Sequence, residues 1–294
     1  VRKIYRGCRY CDFCAAVRNS SRSPPRAASM QVEDIACLSS VGVVLSVAHR
    51  AAIQSSFPLL KTNYKFSSVC FLGKLTGKDG DYLLAFGVEG SLGAKKYFFC
   101  KDGVSWAQLS VPTEETKALV AKLPAALAFS GDITTETEIP APPPAEGEEP
   151  AEPSKLTEEQ RLAVVVAELD AAAAIAPAGA LSLTPAGVVA NPTFSGLDAA
   201  GAMSVGSYVL IDQPKAKNVL ADATNQAADF LATADSLVPK GALVTRNDPA
   251  TGSVTVRNLL YPGAVAFCKP GTPTWGYVYS GNGEKNADIA FMLP

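Results

Sequence analysis

One histidine, His49, is all that the 294-residue chain offers to imidazole chemistry. A Ser-His-Asp triad would have to use it, and no G-x-S-x-G nucleophile turn accompanies it. Zinc motifs of the H-E-x-x-H kind are missing for the same reason, and no two cysteine pairs stand at zinc-site spacing. Long apolar runs are missing too. The longest, Ile35 to Ala48, is 14 residues and contains serines, short of the roughly 20 that cross a bilayer, so no membrane span is predicted. Charge is sparse, with 18% charged residues against 48% hydrophobic ones. That balance supports a sizeable core and excludes general disorder.

What charge there is lies unevenly. Setting aside the seven basic residues of 1–29 and its one acid, Asp12, from totals of 26 and 28 leaves 19 basic against 27 acidic residues, a net of −8. An acidic body is a poor match for a nucleic-acid backbone. The seven cysteines are odd in number. Cys37, Cys70, Cys100 and Cys268 fall singly in apolar stretches, where reduced thiols act as small hydrophobes; this points to a reducing compartment. Cys8, Cys11 and Cys14 form C-x2-C-x2-C, but a tetrahedral site needs a fourth ligand and none follows at metal-binding spacing. Segment 1–29 is rich in Arg and Ser, as transit peptides are. It is read as a basic leader, non-native or disordered, with Met30 opening sequence of a different composition.

From Gln31 to about Ser56, Ile35, Leu38, Val41, Leu45, Ala48 and Ala52 recur at helical steps, and Phe57-Pro58 is expected to end that helix. "VCFLGKLT" (69–76) and "DYLLAFGV" (81–88) flank a Gly77–Gly80 turn, and "KKYFFC" (95–100) and "VSWAQL" (104–109) flank Asp102-Gly103. Two hairpins in succession predict an antiparallel meander. Thr113 is an N-cap for a short helix. Residues 136–155 hold six prolines and six glutamates, an extended linker or loop. Thr157-x-x-Gln160 is a capping box for a helix whose face is Leu162, Val165, Val166 and Leu169. Later elements are strands at 207–212, 242–247, 253–258 and 275–281, a further strand in "GAVAFCKP" (263–270), and a helix around Val219–Ala232.

The fold class is therefore α+β, an antiparallel sheet built from hairpins with several packed helices and long irregular loops. The chain divides into 1–29, 30–135, the linker or loop 136–156, and 157–294; whether the two large parts share one core stays open.

Glycine-rich loops are the remaining route to an enzyme. Gly87-x-x-Gly90-x-x-Gly93 follows a strand but leads into another strand, where a dinucleotide fingerprint needs a helix. Gly281-Asn282-Gly283-Glu284-Lys285 lacks P-loop spacing, has no hydroxyl after Lys285, and leaves little chain for a helix. No cofactor is expected.

The same terminal stretch, "GYVYSGNGEKNADIAFML", carries a different signal. With "LLKTNYKFSSVCFLGKLTGKDGDYLLAFGV" (59–88), "SWAQLSVPTEE" (105–115), "AAIAPAGALSLTPAGVVANPTFSGL" (173–197) and "VPKGALVTRNDPATGSVTVRNLLYPGAVAF" (238–267), it resembles the radial spoke head protein 9 family of motile cilia and flagella. The likeness starts near Met30 and spares the proline-rich insert. It implies a structural role in the axoneme, in the spoke head that transmits signals from the central apparatus to dynein. It further implies packing with head proteins 4 and 6, and a head joined to proteins 1 and 10 and the stalk scaffold protein 3, with neither nucleic acid nor membrane. It carries over no catalytic residues. Tyr277 and Tyr279 alternate along one strand and so share a face; with Trp275 and Lys285 they are candidate partner contacts, unless the rings pack in the chain's own core. Two readings result: an assembly subunit of the spoke head, or a nucleotide-binding enzyme using the C-terminal glycine loop.

Overall fold

The computed structural model describes residues 32–124, 127–139, 154–216 and 227–292. The leader expected at 1–29, with Cys8, Cys11 and Cys14, lies outside the described residues, as does the centre of the proline-rich insert.

The first helical stretch is split. The chain forms a 3-10 helix, Val32–Val41, and then α1 (Val47–Tyr64). Gly42 sits at φ 89° between them, a conformation no helix contains. Ser46 then caps α1 by accepting from the His49 N–H at 3.1 Å. Pro58 does not end this helix but lies inside it. Ile53, Ser56 and Leu60, on both sides of the proline, are buried, so packing outweighs the backbone bond that proline removes. The helix stops instead at Lys65, in the left-handed region at φ 56°.

The strands follow in chain order. β1 (Ser68–Leu75), β2 (Tyr82–Val88), β3 (Lys95–Cys100) and the two-residue β4 (Ala107–Gln108) form the expected meander. α2 (Glu114–Val120) is capped by Thr113. β5 (Glu136–Ile139) and β6 (Ser154–Thr157) pair antiparallel, so the flanks of the insert are neighbouring strands. α3 (Glu158–Ala173) starts at the expected Thr157/Gln160 capping box. β7 (Ile175–Pro177), β8 (Leu181–Thr184), β9 (Gly187–Ala190), α4 (Ala199–Met203) and β10 (Tyr208–Pro214) come next. Of the helix predicted around Val219–Ala232, residues 219–226 lie outside the described residues; the remainder is a turn followed by β11 (Leu231–Thr233). Tertiary pairing decides this: β10 offers a strand edge, and the Lys215 N–H reaches Phe230 O at 2.8 Å. β12 (Leu243–Asp248), β13 (Ser253–Asn258), β14 (Ala264–Cys268) and β15 (Trp275–Gly281) form a second meander, and α5 (Ile289–Met292) follows.

The two meanders fuse into one eight-stranded sheet of order β12-β13-β14-β15-β1-β2-β3-β4. Neighbours are antiparallel except at the junction, where β15 and β1 run parallel with Gly73 opposite Tyr279. A Cβ on Gly73 would lie 1.9 Å from the Tyr279 carbonyl oxygen, so only glycine allows that approach. A bulge between Phe71 and Gly73 re-aims the strand there.

Both faces of the sheet are covered. Phe71, Leu83, Val265, Phe267 and Val278 pack against the 3-10 helix and Ile53 of α1. Leu72, Leu84, Phe86, Ala266, Tyr277 and Tyr279 pack against Leu162, Val166 and Leu169 of α3 and against Ile175 and Leu210 of the small sheet β11-β10-β7. Strands covered on both sides have no polar face to alternate with, which is why β2 and β14 are buried at every position.

Candidate functional site

Acidic side chains at the two ends of α3 organise the interior between that helix and the sheet. Glu158, its first residue, is buried and accepts from the Tyr82 hydroxyl at 2.7 Å, Ser130 Oγ at 2.8 Å, and the Ser130 and Gly131 N–H groups at 2.9 and 3.0 Å. Burial works against its charge, but these donors outweigh that and hold its pKa below the ordinary value. A helix N-terminus also favours the anion. Arg161, one turn on, stacks over Phe129 at 4.2 Å and donates to the Leu127 and Ala128 carbonyls. The loop before β5 is thereby tied to α3.

Asp170, in the last turn, is fully buried. It accepts from the Tyr97 hydroxyl at 2.8 Å and the Tyr277 hydroxyl at 2.9 Å, and it pairs with Lys95. Lys95 also reaches Asp212 at 3.4 Å and lies 5.5 Å from the centre of the Phe86 ring. A carboxylate near a helix C-terminus is unfavourable alone; the ammonium compensates. Burial would lower the Lys95 pKa, yet Asp170 and Asp212 raise it above its usual value. Tyr97 and Tyr277 are pushed well up, first by burial and then by the Asp170 charge. Burial holds the Asp212 carboxyl above its ordinary value despite Lys95. A lysine locked in its charged form and phenols locked in their neutral forms are poor proton shuttles at neutral pH. The arrangement fastens β3, β15 and α3 together.

Sequence reasoning missed this cluster. Asp170 is only the last residue of a helical pattern there, and Lys95 an ordinary strand residue. Glu158 is locally just an acid in a first helical turn, where the dipole favours it; Tyr82 and Ser130 become its partners only in the folded chain.

The four residues read as candidate partner contacts separate. Trp275, Tyr277 and Tyr279 share one face, as their alternation requires, and that face is the chain's own core. Lys285 is exposed. Around it the glycine loop is occupied by its own structure. The Gly283 N–H donates to the Tyr279 hydroxyl at 2.7 Å, and the Glu284 N–H donates to Asn282 Oδ1 at 3.3 Å. The Gly281 carbonyl accepts from Thr76 at 2.9 Å. Of the two glycines, Gly283 takes positive φ, at 85°. Gly281 serves instead for room, because a Cβ there would lie 2.6 Å from both Pro262 O and the Tyr279 hydroxyl. The Gly283 and Glu284 amides are thus spent inside the fold. The four described cysteines, Cys37, Cys70, Cys100 and Cys268, are buried, and among the described residues no group of three or more His, Cys, Asp or Glu has metal-binding geometry. Among the described residues, no helix is long and apolar enough to cross a membrane.

No protein-family model matches the chain. Curated relatives do. The radial spoke head protein 9 homologue of Danio rerio is 36% identical over 264 residues, covering 86% of this chain and 94% of that protein. Those of Bos taurus and Homo sapiens are each 34% identical over 262 residues, with the same coverage. Identity above 30% over most of both chains shows that the chain belongs to the radial spoke head protein 9 family.

Proposed function

We propose that the chain is a non-enzymatic structural subunit of the axonemal radial spoke head, and that it helps assemble the head that relays mechanical signals from the central apparatus to dynein-driven bending. The observation that carries this is the 34–36% identity, over 86% of the chain, to relatives named as radial spoke head proteins. The interior supports it. Glu158, Lys95 and Asp170 are committed to holding elements together, and the terminal glycine loop binds its own neighbours.

In this reading the neighbours are head proteins 4 and 6, with head proteins 1 and 10 and the stalk scaffold protein 3 in the same assembly, and the site of action is the axoneme of a motile cilium or flagellum. Lys285, exposed beside the C-terminal strand, is a candidate contact among them. The test is axonemal tomography of a null strain. Spoke heads are expected to be missing or incomplete, and restored when the chain is re-expressed. Heads of normal shape in the null strain would overturn the proposal.

A further inference from the structure

Between the end of the 3-10 helix and α5 lies an open groove of about 370 Å³. Its lining includes Val41 and Val43, Arg257 of β13, Val265 of β14, and Ile289 and Met292 of α5. The rim is apolar and bare: Met292 is 68% exposed and its neighbour Phe291 is 90% exposed, while Ile289 of the same short helix is buried. An exposed apolar rim around a groove marks a surface that another molecule covers.

Arg257 gives that surface a chemical preference. Its neighbour Val256 faces the α3 side of the sheet, so strand alternation puts Arg257 on the opposite face, beside its cross-strand partner Val265. Its Nε is buried with no hydrogen-bond partner among the described residues. No carboxylate among the described residues forms an ion pair with it. Arg50 of α1 has a similarly orphaned Nε but lines no part of this groove. A buried N–H such as this Nε is normally met by an acceptor, and a carboxylate can take it together with a second N–H of the same half-buried guanidinium.

We propose that this groove docks a segment of a different protein, one that seats an apolar side chain between Val43 and Met292 and places a carboxylate on Arg257. A second copy is the weaker match. A two-fold contact sets the same patch against itself. None of the lining residues is acidic, so the same patch of a second copy brings no carboxylate to Arg257. The inference rests on the assembly reading above and names the chemistry of one of its contacts.

The full chain is expressed in cells lacking the endogenous protein, with a photo-crosslinking residue in place of Met292, and crosslinked peptides are sequenced from isolated axonemes. The expected product joins this position to another protein, within a few residues of an Asp, a Glu or a chain terminus. In parallel, Arg257→Glu lowers the fraction of the chain found in isolated spoke heads by at least about tenfold, as loss of a desolvated charge partner does. Arg257→Lys retains part of it, and circular dichroism melting checks that each variant folds. Met292→Glu, at the exposed rim, gives the same loss should Arg257→Glu fail to fold. Crosslinks confined to this chain or a second copy overturn the docking proposal, as does wild-type incorporation of both acidic variants. Wild-type protein absent from spoke heads sinks the assembly reading itself, and the docking site with it.

Discussion

Replacing Asp170 by alanine removes the acceptor on which two hydroxyls and one ammonium converge. Lys95 is left with only Asp212, at 3.4 Å, and its side chain is 5% exposed. Breaking a buried ion pair by deleting one partner costs about 3–5 kcal/mol. The Tyr97 and Tyr277 hydroxyls also lose their acceptor, at about 1–3 kcal/mol for each buried group left unsatisfied. These terms overlap because the three donors share one carboxylate. A loss of about 5 kcal/mol is therefore expected, similar to the whole net stability of a weakly stable protein, about 5–15 kcal/mol. Urea denaturation followed by circular dichroism and tryptophan fluorescence measures it. The decisive comparison is the double variant Lys95→Met with Asp170→Leu, which removes both charges and fills the space with apolar groups. It is expected to recover about 2 kcal/mol or more of the loss. Tyr97→Phe and Tyr277→Phe each cost about 1–2 kcal/mol. An Asp170→Ala protein within about 1 kcal/mol of wild type would refute the network's role in stability. A double variant no more stable than the single one would refute the orphaned-charge explanation.

Glu158 has a lowered pKa when folded, so its stabilisation is complete above the ordinary value of 4.5 and is lost as pH falls through the lowered folded value. Glu158→Gln is expected to flatten the acid limb of a plot of melting temperature against pH; parallel limbs would contradict this. Gly73→Ala is expected to cost more than about 3 kcal/mol, because its Cβ falls 1.9 Å from the Tyr279 carbonyl oxygen at the junction of the two meanders. A melting temperature close to wild type would show that β1 and β15 do not approach as described. Tyr279 is pushed up to about 12 by burial, and Tyr82, Tyr97, Tyr208 and Tyr277 are also raised. Absorbance at about 295 nm should thus show fewer ionised tyrosines in the folded protein at about pH 11 than in urea, where all nine titrate near their ordinary value. Full titration of the folded protein near pH 10 would refute their burial.

Features set by residues close in sequence could be read before folding. The Thr157/Gln160 capping box joins groups three residues apart, and the strands flanking Asp102-Gly103 and 248–252 are joined by their turns. The alternation of Tyr277 and Tyr279 follows from the pleat alone. Which side that face meets did not follow, because a strand's period is the same whether its neighbour is a partner protein or α3. Pro58 inside α1 and the strand at Leu231–Thr233 escaped local rules because distant packing and a waiting strand edge outweighed local preference. The longest-range decisions were the least legible. Gly73 meets Tyr279, and Lys95 meets Asp170 and Asp212, across separations that no periodicity spans. Backbone geometry over a few residues specifies turns, caps and faces. Only the closed sheet brings one meander's edge to the other and buries Lys95 and Asp170 together with two phenols, where each must satisfy the rest.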